Sequence, residues 1–163
     1  QTATGDIVLL TKQDRSLWDR ALIEEGTALV ARAFKTGAVG AYSIQGAIAA
    51  VHAAAQEASA TDWDEVLGLY DLMMKASPSP VVGLNKAVAM YMSSGVDSGL
   101  AELEAAVRDG GLDDYGPAHS TAAEMYVAAG RHDDARTAYR RALELSRQLA
   151  GTGAASSSAT ACR

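Results

Sequence analysis

The sequence predicts an all-α protein built of antiparallel helical hairpins, and three observations predict it. Apolar residues recur at intervals of three and four along almost the whole chain and rarely alternate with polar ones, which is the period of a helix face. The segments with that period are short, and Gly, Asp or Ser-Pro stands at their boundaries, where helices are capped or stopped. Of the 163 residues, 48% are hydrophobic and 21% charged, a composition able to bury a core within a single domain.

Taken in order, Ile7 to Leu10 reads as a short extended apolar piece within an N-terminal remnant, residues 1–13, of a truncated domain. Asp14 or Ser16 then caps a first helix with Trp18, Ala21, Leu22, Leu29 and Ala33 on its face, ending near Gly37. A second helix starts at about Ala41 and turns Ile44, Ile48, Val51 and Ala55 to one side. Asp62 caps a third, whose stripe is Trp63, Val66, Leu67, Tyr70 and Met74. Ser77-Pro78-Ser79-Pro80 stops that helix and starts the next, with Ser79 as cap and Pro80 in the first turn, so a tight hairpin is expected over Asp62 to Ala89.

The fourth helix carries Val81, Leu84, Val88 and Tyr91 and ends at Gly95; the fifth carries Leu100, Leu103 and Val107 and ends at Gly110-Gly111. Helices six and seven run from about Pro117 to Ala129 and from His132 to Leu149. The helical domain is therefore placed at residues 14–149. Residues 150–163 are mostly Gly, Thr, Ala and Ser, too poor in apolar bulk to offset the entropy of ordering them, and are read as a flexible tail.

Short helix pairs call for a search for repeats. Tyr126, Gly130, Ala135, Tyr139, Ala142 and Leu143 stand at the spacing of the tetratricopeptide repeat, in which small residues let paired helices approach and aromatics fill the gap between pairs. Thirty-six residues earlier, Gly99, Leu103 and Ala106 stand under Ala135, Tyr139 and Ala142. The terminal Pro of that repeat is replaced by Arg147, so the array is divergent. Fold class is thus all-α, with hairpins stacked as a tetratricopeptide-like right-handed superhelix.

Charge and composition exclude several functions. A net charge of -6 without a basic helix argues against DNA binding by this chain, since affinity for phosphates needs clustered Lys and Arg. The charge is uneven: 11 acidic residues between Glu57 and Asp114 face only Lys75, Lys86 and Arg108, whereas five arginines lie between Arg131 and Arg147. Solvated helix faces explain this, and so does an acidic surface that selects a basic partner. No run is apolar enough to cross a membrane, and one cysteine, Cys162, permits neither a disulfide framework nor a cysteine zinc site. Gln1 reads as the start of a cut fragment with no leader, and a cytoplasmic location is expected.

Candidates for chemistry are few. His52, His119 and His132 lack metal-ligand spacing, and no nucleophile elbow, phosphate loop or dinucleotide fingerprint occurs, so neither enzyme, cofactor nor metal is expected. His52 with Asp62 reads either as a base and its orienter or as a histidine bonded to a neighbouring helix cap. Asn85 stands on an otherwise apolar helix, where an amide needs partners; it either ties down the Pro78 to Pro80 turn or grips a peptide backbone. Asp71, Lys75 and Lys86 flank the same expected hairpin and, with Asn85 and His52, make up the candidate interaction residues.

Several strings resemble one family. Asp14 to Ile23 (DRSLWDRALI), Ala47 to Ala53 (AIAAVHA), Thr61-Asp62-Trp63 with Leu69-Tyr70-Asp71, and Ser79 to Ala89 (SPVVGLNKAVA) are similar to the tetratricopeptide-like C-terminal extension of bacterial extracytoplasmic-function sigma factors, in the family's order and spacing. Trp18, Asp62, Trp63, Tyr70, Ser79 and Pro80 are the structural signature of the match, which runs from about Asp6 to Leu149. The resemblance implies a longer protein whose N-terminal part holds the two sigma regions that melt the −10 element and read the −35 element. It implies a non-enzymatic regulatory domain whose partners are those sigma regions, RNA polymerase or a regulatory protein. Two positions depart from the family: Lys86 replaces an Arg, which removes a forked contact, and a charged closing helix is missing after Leu149. The alternative function is a stand-alone peptide-binding adaptor.

Overall fold

A computed structural model of the chain describes residues 13–37 and 39–159, with side chains as far as residue 148. The extended piece Ile7 to Leu10, almost all of the remnant 1–13 and Cys162 lie outside the described residues. Among those described, every regular element is helical: α1 (Arg20–Lys35), α2 (Ala41–Ala54), α3 (Trp63–Ala76), α4 (Pro80–Ser94), α5 (Val96–Arg108), α6 (Gly116–Ala128) and α7 (His132–Ala159), with single 3-10 turns at Arg15–Leu17 and Ala58–Ala60.

The chain divides into two compact units, Gln1–Ser77 and Pro78–Arg163, where the sequence reading places one domain over 14–149. The division falls at the proline-rich break. Because α3 packs with α2 and α4 with α5, the two helices expected to form a hairpin over Asp62 to Ala89 belong to different units.

In the first unit the start of α1 is corrected. Asp14 caps the 3-10 turn, its carboxylate accepting the Ser16 N–H at 3.0 Å, and Asp19 caps α1 by accepting from Leu22 N at 3.1 Å. Trp18 therefore ends the turn instead of lying on the helix. Leu22 and Leu29 are exposed, and Ile23, Val30, Ala33 and Phe34 are the half-buried side chains. Helix α1 lies close to α2: a Cβ added to Gly46 would come within 2.9 Å of Val30 Cγ2. Ile44 and Ile48 of α2 and Val66 and Met73 of α3 are buried as helical spacing dictates.

In the second unit α4 pairs with α5, α6 with α7, and α6 also meets α5 and α4. Ser79 accepts the Val82 N–H at 3.2 Å and Pro80 occupies the first turn, so α4 begins where its cap requires. The core joins Leu84 and Ala87 to Leu100, Leu103, Ala106, Leu112, Ala118, Ala122, Ala123, Met125 and Ala138. Val81, expected on the core face, is exposed, and the buried residues of α4 are Gly83, Leu84, Ala87 and Ala89. Gly99 permits the approach of α5 to α4, since a Cβ there would sit 2.7 Å from Tyr91 Cα. Helix α7 continues beyond Leu149 to Ala159, through much of the segment read as a tail, and no proline interrupts it.

Candidate functional site

The first unit builds a cleft at one end of α2. Arg15, only 5% exposed, reaches out of the 3-10 turn and donates through Nη1 to the carbonyls of His52 at 2.6 Å and Ala55 at 2.9 Å. These are terminal carbonyls of α2, which have no helical partner and carry the negative end of its dipole, so a cation there serves as donor and as counter-charge. The guanidinium also lies 5.0 Å from the centre of the Trp18 ring. Beside it the His52 ring meets Trp63 edge to face, with centroids 5.2 Å apart at 74°.

Trp18, Gln45, His52 and Tyr70 surround a cleft of about 410 Å³ floored by Ile48, Ala49 and Ala53. Burial, and then the Arg15 charge, push the His52 pKa below its ordinary 6.5, so the imidazole is held neutral. Burial raises the Tyr70 phenol above 10.0, and it too stays neutral. The lining is therefore uncharged and aromatic, with an amide, an imidazole and a phenol as hydrogen-bonding groups: a surface for an apolar or planar group carrying a polar edge.

The sequence candidates are dispersed. His52 lies in this cleft with Trp18 and Tyr70. Asp62 accepts the Glu65 N–H at 2.9 Å while the His52 ring meets Trp63, so cap and imidazole have separate partners. Asp71 and Lys75 are exposed on α3 in the first unit, and Asn85 and Lys86 belong to α4 in the second. Asn85 is exposed, so water can satisfy its amide. Lys86 Nζ pairs with Glu102 at 2.9 Å and ties α4 to α5. Arg15 and Gln45 escaped the sequence reading. A buried arginine between capping Asp14 and Trp18 leaves no mark on apolar periodicity, and the only hint is its place in the DRSLW string.

A second cleft, of about 420 Å³, opens in the second unit among α5, α6 and α7. Val107, Leu112, Ala118, Ala122 and Ala138 form its apolar wall, and His119, Thr137 and Arg141 its polar rim. His119 Nε2 lies 2.9 Å from the Asp113 carbonyl, and Arg141 Nη2 donates to Asp114 at 2.8 Å. At the α6–α7 turn Arg131 bridges Glu104 at 2.9 Å and Asp134 at 2.7 Å and lies 4.5 Å from the Tyr126 ring centre. Of the repeat positions, Ala135 is buried, whereas Tyr139 and Leu143 are 46% and 51% exposed. Among the described residues no group of three or more His, Cys, Asp or Glu side chains is placed to hold a metal ion, and no helix is long and apolar enough to cross a membrane.

The chain is similar in part to a known family and to a known protein. Residues 1–34 match a family of unknown function, DUF6596. An "uncharacterized protein" of Rhizobium meliloti (strain 1021) is 41% identical over 143 residues, which cover 88% of this chain and 33% of that protein. The chain thus spans about a third of the length of this relative.

Proposed function

We propose that this chain is the regulatory C-terminal extension of an extracytoplasmic-function sigma factor, a cytoplasmic, non-enzymatic domain that acts through protein contacts. The observation that carries the reading is the fit between the family-like strings and the ends of elements. DRSLWDRALI spans the Asp14-capped turn and the Asp19-capped start of α1, Thr61-Asp62-Trp63 holds the α3 cap, and Ser79-Pro80 opens α4. A relative that continues well beyond the matched region is the expected context for such an extension. On this reading the α4–α5 and α6–α7 pairs are successive members of a divergent tetratricopeptide-like right-handed superhelix. The partners are the sigma regions of the same protein, RNA polymerase or a regulatory protein.

The test begins with the reading frame upstream of Gln1. It encodes a −10-melting region and a −35 helix-turn-helix, and in transcription assays with purified polymerase the full protein and a version ending before Asp14 differ in promoter-dependent output. An upstream frame without a helix-turn-helix, or equal output from both proteins, overturns the proposal. The stand-alone peptide-binding adaptor draws its support from the apolar cleft among α5, α6 and α7, and the missing helix-turn-helix would leave that reading in place.

A further inference from the structure

We propose that Ile7 to Leu10, the apolar run just ahead of the described residues, docks as an extended segment in the cleft between α1 and α2. This does not rest on the sigma-factor reading. It rests on a helix that buries nothing, a glycine with open space over it, and the reach of the chain that precedes Gln13.

Helix α1 buries no residue, whereas α2 and α3 bury two each, and Leu22 on its face is 65% exposed. Between α1 and α2 runs a cleft of about 280 Å³, with Leu22, Gly26 and Val30 on one side and Gly46, Ala49 and Ala53 on the other. No charged side chain lines it, and the hydroxyl of its single threonine, Thr27, donates to the Ile23 carbonyl at 2.8 Å. The surface therefore asks for an apolar occupant.

Gly26 says how closely that occupant comes. A glycine inside a helix weakens it relative to alanine, so its place there needs a reason. Gly46 has one, the 2.9 Å approach of Val30. Among the described residues Gly26 has none: a Cβ built on it meets no atom within 4 Å, and the open space lies over the middle of the cleft. Gly68 of α3 is equally open but lines none of these clefts. A bare helix backbone at the centre of an apolar cleft admits another main chain at close range.

The occupant follows from where the chain enters. Arg15 holds the carbonyls of His52 and Ala55, and Arg20 reaches the Ala53 carbonyl at 3.4 Å, so the described chain starts at the Leu22 and Ala53 end of the cleft. Leu10 stands three residues before Gln13, a reach of about 10 Å in extended chain. Ile7 to Leu10 covers about another 10 Å, and the cleft from Leu22 to Val30, eight residues of helix, is about 12 Å long. Leu10 thus falls beside Leu22 and Ala53, Ile7 beside Val30 and Gly46, and Val8 and Leu9 over Gly26. Alternate side chains of an extended segment share a face, so one pair of the four fills the cleft while the other faces water. The similarity to DUF6596 takes in residues 1–34, which joins this segment to α1 in one matched stretch that stops one residue short of the helix end. A tether this short gives the segment an effective concentration in the millimolar range, which a second copy of the chain does not match.

The test is hydrogen exchange on the 163-residue chain, which reads the cover over α1. Ile7→Ser, Val8→Ser, Leu9→Ser and Leu10→Ser together speed α1 exchange at least tenfold and leave α5 unchanged. Gly26→Ala then separates docking from helix propensity. It slows α1 exchange in the four-serine chain, where alanine only strengthens the helix, and speeds it in the parent, where the added Cβ meets the docked segment. If the four-serine chain fails to fold, disulfide trapping decides: in chains carrying Cys162→Ser, either Val8→Cys or Leu9→Cys locks to Gly26→Cys within one chain under mild oxidation. Neither locks to Glu24→Cys, on the opposite face of α1. Acceleration of α1 below tenfold, the same slowing by Gly26→Ala in both backgrounds, no disulfide to Gly26→Cys, or a disulfide formed only between two chains overturns the proposal.

Discussion

Helices α4, α5 and α6 of the second unit each bury four residues, whereas in the first unit α2 and α3 bury two apiece and α1 none. The core cluster of the second unit is six alanines, four leucines and a methionine, with Gly83 and Gly99 buried beside it, so its helices approach closely and dispersion contacts accumulate over a continuous interior. The first unit closes by another device. Its 3-10 turn sends a buried arginine into the carbonyl end of α2, and an imidazole and an indole meet beside it. One half of the chain is held chiefly by packing volume, and the other leans on a few directional polar contacts around the aromatic cleft.

The comparison predicts unequal responses to substitution. Leu103→Ala, at a side chain 1% exposed, removes volume from the packed interior and lowers stability by about 2–5 kcal/mol in urea unfolding. A cost below 1 kcal/mol would mean that the second unit is not held by packing. Arg15→Ala leaves the His52 and Ala55 carbonyls without their donor and costs about 1–3 kcal/mol, and Arg15→Lys recovers only part because an ammonium lacks the guanidinium fork. A variant as stable as the parent would remove Arg15 from the account of the first unit.

The smallest effect is on pH dependence. The folded His52 pKa lies below 6.5, so as pH falls the unfolded chain takes up a proton on this imidazole before the folded chain does. The contribution is fully present above about pH 6.5 and is lost as pH falls toward the folded value. Melting temperatures measured from pH 8 to pH 5.5 therefore fall less steeply for His52→Gln than for the parent. Parallel slopes would show that burial does not hold this imidazole neutral.

Much of the fold was legible because caps and breakers are local chemistry. Asp62, Ser79-Pro80, Gly95 and the Gly110-Gly111 stop act through bonds within a few residues, and the structure uses each one where the sequence puts it. The start of α1 was misread because Asp14 and Asp19 are both competent caps, and only the closure of the turn by Arg15 onto α2 separates their roles. The clefts were harder to see. His52 was visible as a histidine on a helix face of small residues, but its meeting with Trp63 and its cleft with Trp18 and Gln45 depend on tertiary approach, which periodicity does not encode. The pairing of Lys86 with Glu102, sixteen residues along the chain, depends on the same tertiary approach.

Native-state amide hydrogen exchange tests the contrast between the units most directly, because it reads the local free energy of opening helix by helix. The account predicts the slowest exchange at the central amides of α4, α5 and α6 and the fastest helical exchange in α1, with Arg15→Ala accelerating α2 and leaving α5 unchanged. Protection in α1 equal to that in α5, or acceleration of α5 in the Arg15 variant, would contradict it.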